Sequence, residues 1–228
     1  MKRSEINAAL REMEAMCREQ RCYLPPFCRF TPEEWAEKGH EWDEVRDCRL
    51  GWDITDYGLG RFSEVGLSLI TLRNGNRGMA DHWPKTYAEK LLYLRAGQYS
   101  PMHFHWHKME DIVHRGGGPV LIRVYNSLPG EEIDRVSPVA LHLDGQAVTV
   151  PAGTQITLRP GDSITIPPGL YHDFTAGDSS VLLGEVSQCN DDETDNRFEP
   201  PVGRFPAVEE DERPYRLLCF EYPGQSNA

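Results

Sequence analysis

The chain has 228 residues, 39% of them hydrophobic and 26% charged, which suits one soluble domain carrying extensions and is long enough to bury a core without disulfides. A formal net charge of −12 repels nucleic acid and anionic membrane surfaces, so neither is an expected partner. The opening segment has neither the apolar run nor the cleavage pattern of a signal peptide, and no window approaches the roughly 18 apolar residues of a spanning helix, so a cytoplasmic protein is expected.

Cys17, Cys22, Cys28, Cys48, Cys189 and Cys219 form no C-x-x-C pair and no zinc-knuckle spacing, and read as reduced thiols. In chain order, a first helix is expected with Ser4 as its cap and Ile6, Leu10, Met13 and Cys17 at helical spacing. Thr31-Pro32-Glu33-Glu34 combines a cap, a proline at the first helical position and a glutamate at the third, predicting a second helix that runs to about Lys38 and stops at Gly39. These helices make residues 1–60 an N-terminal extension that packs on the remainder.

From about residue 60 short apolar stretches alternate with Gly, Pro, Asn and Asp: VGLSLITL, KLLYLRAG, PVLIRVYN, VALHLDG, GTQITLRPGD, SITIPPG and VLLGEVS. Strands at such regular intervals, with no helical pattern between them, point to a mainly β barrel or sandwich over residues 61–222. The acidic, Pro-containing NDDETDNRFEPPVGRF reads as a loop, YRLLCFEY as a last strand, and residues 223–228 as a frayed tail.

His103 and His105 lie two apart on an expected strand and so share a face, with Phe104 and Trp106 on the other. Glu110 follows a short turn and is expected from the next strand of the same hairpin. Gly161, Pro167, Gly169 and His172 form a second strand–turn–strand corner that returns His172 to the barrel wall. Three imidazoles and a carboxylate suit Mn, Fe, Co, Ni or Zn rather than calcium, and leave coordination positions open for chemistry. Taken alone, His-x-His in a strand-rich chain is equally compatible with incidental histidines. The combined spacing is more specific. Gly97, His103, His105, Glu110 and Gly117 satisfy every interval of the first cupin motif; Gly161, Pro167, Gly169 and His172 match the second, with Ala176 in place of its final Asn. The segment 85–188 therefore resembles the cupins, which implies a cupin-type β-jelly-roll barrel with an N-terminal helical extension, binding metal through His103, His105, Glu110 and His172.

Three charged residues stand out. Lys90 shares strand parity with Leu92 and Leu94, Glu185 shares parity with Val181 and Leu183, and Lys108 lies between two expected ligands. A charge on an apolar strand face is costly unless paired or working. Lys90 and Glu185 could equally face solvent or pair with each other, and Lys108 could be a plain turn lysine.

The helical start, EKLLYLRAGQYSPMHFHWHKMEDI, the second corner and EVSQCNDDETDNRF together resemble the D-lyxose ketol-isomerase family over most of the chain. The resemblance implies a homodimeric, Mn(2+)-dependent aldose–ketose isomerase that converts D-lyxose and D-mannose to D-xylulose and D-fructose through an enediol. In that chemistry Glu185 is assigned as the base, with Lys108 and Lys90 as proton-shuttling or electrophilic groups. Asp195 and Arg197 could reach sugar hydroxyls, as could Asp191 and Asp192, unless that loop is simply solvated. Trp106 and Tyr171 could form a platform for the sugar or pack behind the ligands. An Fe(II)-dependent cupin dioxygenase and a cupin phosphosugar isomerase are the competing readings; Arg123 and Arg159 show no sign of converging on a phosphate.

Overall fold

Residues 1–204 and 206–224 are described by the computed structural model of the chain. Two curved antiparallel sheets enclose the core. The larger runs β1 (Gly51–Thr55), β2 (Leu67–Arg73), β3 (Tyr87–Leu94), β13 (Val181–Gln188), β5 (Glu110–Gly117), β11 (Ser163–Ile166), β8 (Val139–Leu143), β9 (Gln146–Val150). The smaller runs β10 (Gln155–Leu158), β6 (Val120–Ser127), β12 (Tyr171–Ala176), β4 (Tyr99–Phe104), β14 (Arg197–Phe198), with β7 (Ile133–Asp134) appended to β6. This is the cupin-type jelly roll, preceded by helices.

Strand periodicity divides the apolar side chains between two cores. Leu92, Leu94, Val181 and Leu183 point inward and pack with Ile122, Val124 and Phe174 of the facing sheet. Leu91, Tyr93 and Leu182 point outward and are covered by α1 (Arg3–Glu19), whose Ile6, Leu10 and Met13 are completely buried. Burying each such side chain stabilises by about 1.5–3 kcal/mol, so α1 is an integral layer; the larger sheet is buried on both faces around β1, β2 and β3, while β5, β8 and β9 expose their outer face.

Several local expectations change. The Thr31–Glu34 capping box is present, but α2 (Pro32–Ala36) stops two residues short of Lys38. Lys2, not Ser4, occupies the N-cap of α1; the hydroxyl of Ser4 instead donates to Asp211 of the C-terminal segment. Near that segment Arg3 is buried between Glu210 and Glu221, donating to each at 2.6 Å. After α3 (Asp43–Asp47), β1 already joins the sheet within the stretch expected to be helical extension. Its GWDIT pattern carries a buried aspartate that disguises a strand.

YRLLCFEY is not a strand. Leu218 makes only an isolated bridge to Trp52, and the segment is anchored by side chains: Leu218 and Cys219 are buried, and Tyr222 stacks on Trp35. The tail starts tied, since the Pro223 carbonyl accepts from Arg46; residues 225–228 lie outside the described part. No helix among the described residues is long and apolar enough to cross a membrane.

Candidate active site

The inner faces of both sheets converge on one polar cavity of about 50 Å³. His103 comes from β4, His105 from just beyond it, and His172 from the start of β12, where it pairs directly opposite His103. Glu110 is not the second arm of a hairpin with β4. It opens β5 in the opposite sheet, because the 105–109 turn crosses from one sheet to the other. The carboxylate therefore faces the imidazoles across the barrel instead of lying beside them.

Each histidine is oriented from behind. Nδ1 of His103 lies 2.8 Å from the Pro101 carbonyl, Nδ1 of His105 2.8 Å from the Asp195 carbonyl, and Nδ1 of His172 3.0 Å from the Leu170 carbonyl. A carbonyl only accepts, so each Nδ1 carries the proton and each Nε2 presents a lone pair inward. The ligand atoms of the three histidines lie within 4.8 Å of one another. Glu110 brings its two oxygens to 3.2 Å from Nε2 of His172 and 3.5 Å from Nε2 of His105. Nε2 of His172 is buried yet makes no hydrogen bond. A buried convergence of lone pairs is unfavourable unless something positive sits among them, and three imidazoles with one carboxylate fit a divalent transition metal. Burial, and then the neighbouring His172 and His105 rings, hold His103 well below the usual imidazole range, in the neutral form a metal requires.

Lys108 lies at the centre of the remaining chemistry. Its ammonium is buried and sits 2.8 Å from both Glu110 and Glu185, with Asn190 Oδ1 at 3.1 Å. Burial opposes its charge, but Glu110 and Glu185 outweigh that and raise it, keeping the lysine protonated. Burial likewise opposes the charge of Glu110, while Lys108 prevails and holds its carboxyl well below the usual range. Oε1 of Glu185 also accepts from Ser187, whereas Oε2 accepts no hydrogen bond among the described residues. Lys90 pairs across the strands with Glu185, as the register dictates, at 3.8 Å, and more closely with Asp192 at 3.2 Å. Strand parity thus put Lys90 and Glu185 on the inner face, where they are paired and line the cavity.

The three residues expected to touch substrate do not line this cavity. The Asp195 carboxylate accepts the backbone N–H groups of His107 and Lys108 at 2.9 and 3.0 Å. Arg197 is engaged by Glu131 and Glu199. Trp106 is 38% exposed and donates its indole N–H to Glu131; like Tyr171, it packs edge-on against Phe104 behind the ligand strand. Asp192, also named from the sequence, does line the cavity, and beside it the fold supplies Tyr57, Ser100, Asn196 and Arg204. Arg204 bridges Asp53 at 2.6 Å and Asp192 at 3.2 Å. Burial opposes the charge of Asp192, and Lys90 followed by Arg204 hold its carboxyl well below the usual range. Arg204 sits in a segment whose acidic composition is that of a solvated loop, so only folding distinguishes it.

A D-lyxose isomerase family profile matches residues 1–222. The chain belongs to the D-lyxose isomerase family. It is 43% identical to a D-lyxose/D-mannose isomerase of Serratia proteamaculans over 97% of this chain and 98% of that one. It is 44% identical to the enzyme of the same name from Escherichia coli O157:H7, again over 97% and 98%. Among solved structures it resembles the L-ribose isomerase of Cellulomonas parahominis bound to L-ribose, with a TM-score of 0.59, 17% identity and coverage of 92% and 98%. At that identity the likeness speaks for the fold alone, and family membership rests on the sequence relatives.

Proposed function

We propose that this chain is a metal-dependent aldose–ketose isomerase that interconverts free D-lyxose with D-xylulose and D-mannose with D-fructose. The observation that carries the reading is the buried Lys108 ammonium shared between Glu110, at the histidine cluster, and Glu185, which keeps one oxygen unengaged. The two sequence relatives, both named D-lyxose/D-mannose isomerases, support the choice of sugars.

His103, His105, His172 and Glu110 would hold the ion, manganese being our assignment. Bound there, a divalent cation supplies Lewis acidity toward the sugar's carbonyl and adjacent hydroxyl oxygens. Lys108, protonated and held by Glu110, Glu185 and Asn190, sets a fixed positive charge beside the oxygen on which charge develops as the C2 proton leaves. Glu185 has one oxygen pinned by Lys108 and Ser187, leaving the other to take the proton from C2 and return it to C1 of the enediol. Lys90 and Asp192 keep Glu185 from drifting by completing the ion network around it.

Charge balance favours an unphosphorylated sugar. The cations lining the cavity, Lys90, Lys108 and Arg204, are each already committed to carboxylates, so a phosphate dianion would have to displace an internal partner. A dioxygenase has no evident use for this acid–base set. We further read the protein as a cytoplasmic homodimer; its six free thiols suit a reducing compartment, and light scattering at micromolar concentration tests the dimer.

The deciding experiment incubates Mn-loaded protein with free and phosphorylated aldoses in D2O. Deuterium at C1 or C2 of D-lyxose or D-mannose is the expected result. Exchange confined to phosphosugars, or oxygen uptake with Fe(II) and no exchange, overturns the reading.

A further inference from the structure

Two backbone irregularities meet at a single point of the cavity wall; the bulge also aims the Pro101 carbonyl at Nδ1 of His103, whereas the other is made by Tyr57, outside the histidine cluster. Tyr57 has φ +56°, a left-handed conformation that is an outlier for a bulky residue and costs on the order of 1–2 kcal/mol. It is held there from both sides: the Thr55 hydroxyl accepts from its N–H, and its carbonyl accepts from Gly203. The second irregularity is in β4. Between the rungs His172↔His103 and Phe174↔Ser100, β12 advances two residues while β4 advances three. The extra residue falls at Pro101–Met102, where proline has no N–H to lose from the ladder. The bulge reverses strand parity, so Ser100 faces inward on the same side as His103.

The result is a hydroxyl pair, Tyr57 Oη and Ser100 Oγ, 2.6 Å apart, both residues lining the cavity and both buried. Neither hydroxyl makes another hydrogen bond among the described residues, in contrast to the nearby Thr55 hydroxyl, which is committed to the Arg204 carbonyl and the Tyr57 N–H. One O–H donates within the pair, leaving one O–H donor and spare lone pairs. Filling this space with Phe and Ala would serve packing as well, since replacing both partners of a buried polar pair by apolar groups is close to neutral. A tyrosine held in a strained conformation, and a buried hydroxyl pair with bonding capacity left over in the cavity wall, therefore point to a ligand. An uncharged donor–acceptor pair suits an alcohol, which is also both.

Its position says which alcohol. Ser100 lies two β12 rungs from His103, roughly 7 Å, and the Phe198 ring sits 5.3 Å from the His103 ring and 5.5 Å from Tyr57. The pair thus lies across the Phe198 ring from His103, and that ring is an aromatic face on which a carbon chain can lie. We propose that the Tyr57–Ser100 hydroxyl pair is a sugar-recognition site that binds a hydroxyl at the distal end of the substrate, beyond the carbons that react. This rests on the isomerase reading above.

The test uses the full-length Mn-loaded protein, with Tyr57→Phe and Ser100→Ala as separate variants and melting temperature and metal content as controls. KM for D-lyxose and D-mannose should rise roughly three- to tenfold in each variant, the worth of one neutral hydrogen bond, with a smaller change in kcat. Of 4-deoxy- and 5-deoxy-D-lyxose, the one lacking the contacted hydroxyl should give wild type and Tyr57→Phe the same KM. A KM change below twofold in both variants while wild type turns over overturns the proposal and leaves the isomerase reading standing. If wild type isomerises no aldose, that reading falls. The pair is then judged by calorimetry with xylitol and D-mannitol, where Tyr57→Phe must weaken binding at least threefold or the proposal falls too.

Discussion

Asp195 clips the turn that carries Lys108: its carboxylate accepts the backbone N–H groups of His107 and Lys108, while its own carbonyl accepts from Nδ1 of His105. One residue of the 190–198 loop thus orients a histidine of the cluster and the lysine beside it. Hydrogen bonds to a buried carboxylate are charge-assisted and among the stronger ones. Asp195→Ala strands two N–H groups and frees the turn. We expect kcat to fall about ten- to a hundredfold, and metal to dissociate more readily in dialysis, consistent with the usual cost of losing such supporting contacts. Asp195→Asn, which can accept from one of the two N–H groups, should fall between. Unchanged kcat and metal content in Asp195→Ala would show that the turn holds itself.

Glu185→Gln preserves shape and removes the capacity to take a proton. Turnover of D-lyxose should drop about a hundred- to ten-thousandfold, with manganese content by elemental analysis unchanged. A variant within fivefold of wild type would move the base elsewhere.

Chelation should abolish turnover, and added Mn(2+) should restore it. Binding to the folded state alone also raises the melting temperature, by about 2.7 kcal/mol of stability at a hundredfold excess over Kd. His172→Ala should lose both the rescue and the thermal shift. Persistent activity after exhaustive chelation would refute metal dependence.

Acid should loosen the N-terminal layer before the barrel. The hydrogen bond from Arg3 holds the Glu210 carboxyl below the usual range, against a smaller opposing effect of burial. A carboxyl lowered in the folded state contributes stability that is present above its unfolded value, near 4.3, and is lost as pH falls through the folded one. Hydrogen exchange of α1 amides should therefore quicken below about pH 4. Arg3→Met should abolish that dependence and lower the melting temperature at pH 7 by roughly 4–8 °C, equivalent to about 2 kcal/mol in a chain of this size. An acid response unchanged by Arg3→Met would assign it to other carboxylates.

Much of this protein is written locally. The alternation of Leu91 and Leu92, of Leu182 and Leu183, contains both cores, because a strand's period of two sorts neighbours onto opposite faces whatever they later touch. The same period put Lys90 and Glu185 inside, and the Thr31–Glu34 capping box formed because its partners are three residues apart. The spacing of His103, His105, Glu110 and His172 brought those four residues together in one site.

Tertiary structure alone decided how they meet. That Glu110 faces the imidazoles from the opposite sheet depends on pairing between β5 and β13, whose partners are about 70 residues apart in sequence. Asp195, Arg197 and Trp106 resembled substrate contacts by residue type, yet the fold commits them to backbone N–H groups, Glu131 and Glu199. Tyr57, Ser100 and Arg204 carry no local mark, because a left-handed turn at a tyrosine, a bulge at Pro101 and an ion pair spanning residues 53 to 204 are settled by packing between distant segments. The chemistry of a side chain is local, but the direction in which it is presented belongs to the whole barrel.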